Sequence, residues 1–488
     1  MNNYRYLNTP WLASRDLYSP PGSLIVKLTL GESPDAIPTA LDVRLGRQKA
    51  ATALTIGSVD RMMHHFTDRV RITRVHTAAA CVGRPGLGHT HFDDIEHVLG
   101  LSRTFRVEAE KGTAVGNMVD ALRQLGTVEQ AYPNYLTTLP FLSPAFTLPT
   151  PVEEDDAWYS REMIRASAAL AYEAGDPAVI VCVIDTGVMH SHPELLDKLR
   201  TGLDTVQLTM DHMASGVQLV GDESGIDTEP EDAVGHGTSC AAIIGALGGH
   251  IPPGLSGNCS LMPIRVLGAA KFPGRDEPVG IGSIADIDLG VKSAIDLGAK
   301  VINMSFGTPE NLLDPTDPPP HQDVVRYGLA RNCVMVAASG NSGKQENFSP
   351  AMLDGVIAVG AVGADGTPTT FSTRGEHVAV CAPGERVYSA GLDGYQMVTG
   401  TSFAAPFVTA AAGLLVSRAA RRAYPLDGHD VRRLLCESAA RWKDDRYQHA
   451  GHGAGVLDAY AALCALDAEI DRSRFPEQIP KQGGAMAN

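Results

Sequence analysis

Apolar and polar positions keep two different rhythms along this chain. Between residues 23 and 138 the segments are short and mostly alternating. Ser23–Leu30, Val70–Val75, Thr104–Ala109 and Val128–Tyr135 read as strands. Gly57 to about Arg69, capped by Ser58, and Ala114 to about Leu125 read as helices. The order βαββαβ predicts a ferredoxin-like α+β domain. Residues 1–22 are polar and Pro-flanked and form an arm, and the Pro-rich stretch 139–158 is a linker. From 159 to 468 the rhythm changes to near-continuous apolar runs: Val179–Ile184, Leu261–Leu267, Val301–Met304, Val334–Ala338 and Val356–Ala361. Helical stretches such as Ser239–Leu247 and Ala285–Leu297 lie between them. That alternation predicts an α/β domain, a parallel sheet flanked by helices on both faces. Residues 469–488 are a C-terminal tail.

In such sheets the chemistry gathers beyond the carboxyl ends of the strands, and three polar residues stand at such places. Ser402, in Gly400-Thr-Ser-Phe-Ala-Ala-Pro406, precedes a run, Phe407–Ser417, that is apolar on all sides and so predicts a buried helix. Pro406 is expected in its first turn, where a missing N–H costs nothing. On this stretch alone Ser402 is either a helix cap or a nucleophile whose helix-start N–H groups receive an oxyanion. Asp185 ends the first buried strand, in Val183-Ile-Asp-Thr-Gly-Val188. It could cap a helix or hold a ribose, but the G-x-G-x-x-G of a dinucleotide site does not follow it. His236, in Gly235-His-Gly-Thr-Ser-Cys240, opens a small-residue helix with glycines leaving its imidazole open. A serine nucleophile, a histidine base and an aspartate orienting that base are the set acyl transfer requires.

Asp185-Thr-Gly187, His236-Gly-Thr238, Ala338-Ser-Gly-Asn341 and Gly400-Thr-Ser-x-Ala-x-Pro406 stand in this order. With these four motifs, residues 159–468 resemble a subtilisin-like serine protease (subtilase, family S8). The resemblance implies a serine endopeptidase acting on extended polypeptide, with Asp185, His236 and Ser402 catalytic and Asn341 in the oxyanion hole. It implies that Ser305-Phe306-Gly307 and Gly340 wall the P1 pocket and bind substrate backbone, with Gly280 and Gly282 on the opposite edge. Ile284 and Ile287 fall where the family lines its P4 pocket, and Phe348 near the floor of the P1 pocket. Cys240 stands where some subtilases carry a cysteine near the histidine. The end of the first domain, Tyr132-Pro-Asn-Tyr135, resembles the end of an inhibitory propeptide. Residues 23–138 would then be the enzyme's own cleft inhibitor, released by cleavage within about 136–155. Two other readings stay open: a dedicated processing protease for one partner, and a non-catalytic subtilase-like scaffold.

Departures from the family temper this. The loop Gly248–Gly257 lacks the Asn-rich calcium loop of secreted subtilisins, so no metal site and no cofactor is assigned. Asp222, Glu223, Asp227, Glu229, Glu231 and Asp232 are a calcium candidate set beside a solvated-loop alternative. The His89, His91, Asp93, Asp94, Glu96, His97 cluster has no tight ligand spacing and reads as a loop and helix start. Asp314–His321 is an insertion expected to narrow the cleft.

Composition changes the picture only by exclusion. A net charge of -16 argues against nucleic-acid binding. No apolar stretch reads as a membrane span, and the first residues hold no secretory h-region. The eight cysteines lie largely in apolar runs, so reduced thiols and a cytoplasmic location are expected.

Overall fold

The computed structural model describes residues 18–82, 91–139, 146–147 and 154–474. Most of the arm 1–22, most of the linker 139–158, His89 and the end of the tail 469–488 lie outside the described residues.

The alternating strands of the first domain, Ser23–Leu28, Val70–Arg74, Thr104–Ala109 and Val128–Pro133, pair antiparallel. The helix Val115–Leu122 buries Val115, Met118, Val119 and Leu122, one stripe at 3.6-residue spacing. The helix Gly57–Phe66 buries Val59 and Met63 one turn apart. The sheet order, second-third-first-fourth in sequence, is that of a ferredoxin-like fold. Ser58 does not cap its helix. Ile56 holds that position without a side-chain bond, and the Ser58 hydroxyl pairs with Thr127.

The continuous apolar runs form a seven-stranded parallel sheet. Its order is Val378–Pro383, Ile357–Val362, Val334–Ala338, Val301–Met304, Ile180–Asp185, Ser260–Arg265, Leu203–Asp204. The helices His236–Gly245 and Thr401–Arg421 share an apolar core with one face. Ile284–Asp296 and Gln322–Ala330 share a second core with the other. The Ser402 helix is long and apolar enough to cross a membrane by length and composition, but most of it is buried inside the protein. None of the eight cysteines is in a disulfide.

The two domains meet along helices Ile284–Asp296 and Gln322–Ala330. The ion pairs there are largely withdrawn from water: Arg106–Asp286 at 3.0 Å, Lys27–Asp323 at 2.8 Å and Lys292–Glu96 at 2.6 Å. Glu96 comes from the histidine-rich cluster of the sequence. There it also completes a capping box with Asp93, while His97 pairs with Ser102. The 314–321 insertion grips the first domain: Asp317 accepts from the Tyr135 hydroxyl at 2.6 Å and pairs with Arg123.

Candidate active site

Three elements deliver the three predicted side chains to one place. Asp185 is the last residue of the interior strand Ile180–Asp185 and is 0% exposed. His236 is the first residue of its helix, behind Gly235 at φ 90°. The helix can lie this close to the strand end only because Gly237 has no side chain. A Cβ there would sit 2.1 Å from the Gly187 carbonyl oxygen. His236 Nδ1 and Asp185 Oδ1 are 2.7 Å apart. A carboxylate acceptor fixes the proton on Nδ1 and leaves Nε2 as the base. Burial alone would lower the imidazole's pKa, but the adjoining Asp185 carboxylate outweighs it and holds the pKa above the ordinary value. The Phe403 ring leans on the imidazole, centroids 5.0 Å apart.

Ser402 is the second residue of the helix Thr401–Arg421. Its Oγ donates to the Ser305 carbonyl at 3.1 Å, its one hydrogen bond among the described residues. The structure corrects the placement of Pro406, which lies in the second turn and not the first. The carbonyl that Pro406 cannot serve is that of Ser402 itself. Ser305 Oγ donates to it at 2.8 Å and Cys240 Sγ at 3.4 Å. The proline therefore ties the Ser402 backbone to two neighbouring segments. Cys240 Sγ is also 4.0 Å from His236 Nδ1, and burial pushes its thiol pKa well up, so it stays protonated.

Asn341 is clamped at one end only. Its Oδ1 accepts from Thr401 N and Thr401 Oγ1, both at 2.9 Å. Its Nδ2 is buried and has no partner among the described residues. An unpaired buried N–H costs about 1–3 kcal/mol, so this donor waits for an acceptor the protein does not supply. The Ser402 N–H, in the first turn of its helix, has no intrahelical acceptor either.

The groove beside Ser402 is filled by the protein's own chain. Leu136–Thr138 pairs antiparallel with Val279–Ser283, setting Thr137 opposite Gly282 and Thr138 opposite Ile281. Leu139 N donates to the Gly280 carbonyl at 2.9 Å, and Thr137 Oγ1 meets Thr308 Oγ1 at 2.8 Å. Gly280 and Gly282 thus border one side of the strand, and the segment running on from Ser305, Phe306 and Gly307 borders the other. Leu139 lies within reach of Thr186, the neighbour of Asp185, since a Cβ on Gly280 would touch both. Within the linker, Phe146–Thr147 pairs with Gln396 and Met397, just ahead of the Ser402 helix.

Ile284 lies in an apolar cluster with Ile25, Val75 and Tyr135 of the first domain, and Ile287 packs with Leu139 and Val266. Phe348 sits against Gly307 and Gly340. The acidic stretch divides. Asp204 pairs with the buried Arg265 guanidinium, which also approaches Asp222. Asp232 is not a solvated loop residue. One of its carboxylate oxygens accepts from Thr186 Oγ1, Val234 N and Gly235 N, and the other from Thr238 N and Thr238 Oγ1. It binds the His236 helix start to the residue after Asp185. Its bonds join two distant segments, and the acidic run around it hid that role. At the loop Gly248–Gly257 the Glu194 carboxylate accepts from the N–H groups of Gly248 and Gly249 at 2.9 and 3.0 Å.

Residues 176–459 match the subtilase family, peptidase S8. The chain is 32% identical over 311 residues to subtilisin DY of Bacillus licheniformis, covering 62% of this chain and 97% of that one. It is 32% identical over 264 residues to thermitase of Thermoactinomyces vulgaris, covering 53% and 82%. A solved protease from Pseudoalteromonas arctica shares the fold at a TM-score of 0.53, with 23% identity over 66% of this chain and 100% of that one. The catalytic geometry and these likenesses agree: the chain belongs to the subtilase family and is a serine endopeptidase.

Proposed function

We propose that Ser402 is the nucleophile of this endopeptidase, His236 its general base and acid, Asp185 the orienting carboxylate and Asn341 the side-chain donor to the oxyanion. The observation that carries the reading is the buried Asn341 Nδ2 with no partner, beside a serine whose neighbouring imidazole is already held by Asp185. Ser402 Oγ exchanges the Ser305 carbonyl for His236 Nε2 by rotation about χ1, and then attacks the scissile carbonyl. His236 takes the Ser402 proton, and Asp185 stabilises the imidazolium. The oxyanion receives the Ser402 N–H and Asn341 Nδ2. Collapse passes the proton from His236 to the leaving amine, and water repeats the sequence on the acyl-enzyme.

The N-terminal domain is the enzyme's own cleft inhibitor, and its strand Leu136–Thr138 lies where an extended substrate would add to the edge at Gly280–Gly282. Cleavage C-terminal to Leu139, ahead of the helix Glu154–Met163, releases it. Eight cysteines with no disulfide among them support a reducing, cytoplasmic setting. The test is Ser402→Ala in the full chain, which abolishes both peptide hydrolysis and cleavage of the linker. Self-cleavage persisting in the purified variant would sink the assignment. A fluorophosphonate probe labels Ser402 of the wild type, and does so faster once the N-terminal domain has gone.

A further inference from the structure

Two backbone segments converge on Ser402. Ser305 accepts from its hydroxyl at 3.1 Å, and Gly340 N donates to Thr401 Oγ1 at 3.2 Å. The glycines on these segments, Gly307 and Gly340, have no side chain to fill the space between them. The Phe348 ring fills it. A Cβ on Gly307 would lie 2.3 Å from ring atom Cε1, and one on Gly340 would lie 3.2 Å from Cγ and Cδ2. The ring therefore touches the α-carbon face of both walls at once. It is 6% exposed, yet it belongs to none of the apolar cores under the sheet. Its backbone is fixed: Phe348 pairs with Pro309, Ser349 Oγ donates to the Pro320 carbonyl at 2.7 Å, and Met352 N donates to the Phe348 carbonyl at 2.9 Å.

We propose that Phe348 determines the specificity of this endopeptidase: its ring occupies the P1 pocket, and the enzyme cleaves after residues with small side chains, glycine, alanine or serine. The proposal rests on Ser402 being the nucleophile, because that assignment makes the Gly307–Gly340 space the P1 pocket. A methyl group fits at the mouth of a pocket so filled. A leucine or phenylalanine side chain must expel a ring whose strand is paired and whose neighbours are backbone atoms. Each methylene that does not fit such a pocket costs about 10–200-fold in kcat/KM.

The test is a set of peptides identical except at P1, carrying glycine, alanine, serine, leucine or phenylalanine. They are cleaved by the full-length protein and by its Phe348→Gly and Phe348→Ala variants. Partial occupation of the cleft by residues 136–139 slows every peptide alike and cancels from the ratio. The expected wild-type preference for alanine over phenylalanine is at least ~100-fold in kcat/KM. In both variants that ratio falls towards or below unity as the larger residues gain. Wild type that takes leucine or phenylalanine as readily as alanine overturns the proposal, as do two folded variants that keep the wild-type ratio. Fluorophosphonate labelling needs no P1 side chain and separates the two readings. Labelled Ser402 with an unchanged P1 profile counts against Phe348 alone, and an unlabelled wild-type Ser402 counts against the nucleophile.

Discussion

Asn341 offers two substitutions that divide its structural work from its chemical work. Asn341→Ala removes both functions of the amide. It strips two acceptor bonds from Thr401, each worth about 0.5–1.5 kcal/mol net, so stability should fall by about 1–3 kcal/mol. It also removes Nδ2, the unpartnered donor. Deleting the side-chain oxyanion donor of a subtilisin costs about 10²–10³-fold in kcat, and the same loss is expected here. Asn341→Asp keeps an oxygen facing Thr401 and so keeps both bonds. It replaces the donor by a second acceptor, aimed where negative charge develops. The aspartate variant should therefore lose less thermal stability than the alanine variant, yet at least as much kcat. KM should change little in either, because the donor acts on the transition state and not on the bound peptide. Steady-state hydrolysis of a chromogenic peptide and thermal unfolding of the same preparations measure both. An aspartate variant within tenfold of the wild-type kcat would refute the oxyanion assignment. So would losses in both variants that track stability alone.

Other consequences can be measured as directly. The Asp185 carboxylate holds the His236 pKa above the ordinary imidazole value, and catalysis needs the neutral ring. The acid limb of the kcat/KM profile should thus lie above about pH 6.5. The same raised pKa adds stability below the unfolded value that is lost as pH rises through the folded one; an acid limb below pH 6 would contradict the pairing. Arg106→Met leaves Asp286, which is 0% exposed, without its cation, and removing one partner of a buried pair costs about 3–5 kcal/mol. The full chain should melt earlier and its Ser402 should label faster, and adding Asp286→Asn should restore part of both. Labelling unchanged from wild type would mean that this pair does not hold the domain in place. A mercurial on Cys240, 4.0 Å from His236 Nδ1, should displace the imidazole and abolish hydrolysis. Thiol should reverse the effect, and Cys240→Ala should escape it; inhibition that survives in Cys240→Ala would assign the target to another cysteine.

The strands were legible because a strand buried on both faces needs an apolar residue at every position. Val301–Met304 and Val334–Ala338 follow that rule closely enough to be legible to the residue, whereas Thr104–Ala109 is legible from its alternation. Asp185, His236 and Ser402 were legible because small residues crowd them, and Gly237 shows why: a side chain there collides with the Gly187 carbonyl. Relations between distant segments left no such trace. The true start of the Ser402 helix depends on Asn341 accepting from Thr401 across sixty positions of sequence, so Pro406 was placed a turn too early. Asp232 looked like one acid among six, and only its five bonds to Thr186, Val234, Gly235 and Thr238 set it apart. The 314–321 insertion binds Tyr135 and Arg123 of the first domain. Nothing in its own residues names those partners.

The helix Ile284–Asp296 begins where the strand Val279–Ser283 ends, and its first two N–H groups are claimed from outside the catalytic domain. Ile284 N donates to the Tyr135 carbonyl and Ala285 N to Asn134 Oδ1, both at 3.0 Å. The N-terminal domain therefore supplies the last piece of a catalytic-domain helix, beside a parallel sheet built wholly from long-range pairings, the kind that forms slowly. If that piece were cut away, as proposed above, the two donors would lose their partners while the finished sheet stayed. The protein without its first domain would then be easier to keep than to remake. Its persistence would rest on the height of the unfolding barrier and not on the depth of the native well. A preparation of the released enzyme that has been unfolded should return to activity only when the N-terminal domain is added back. Its working life would then be counted in unfolding events, each of them final.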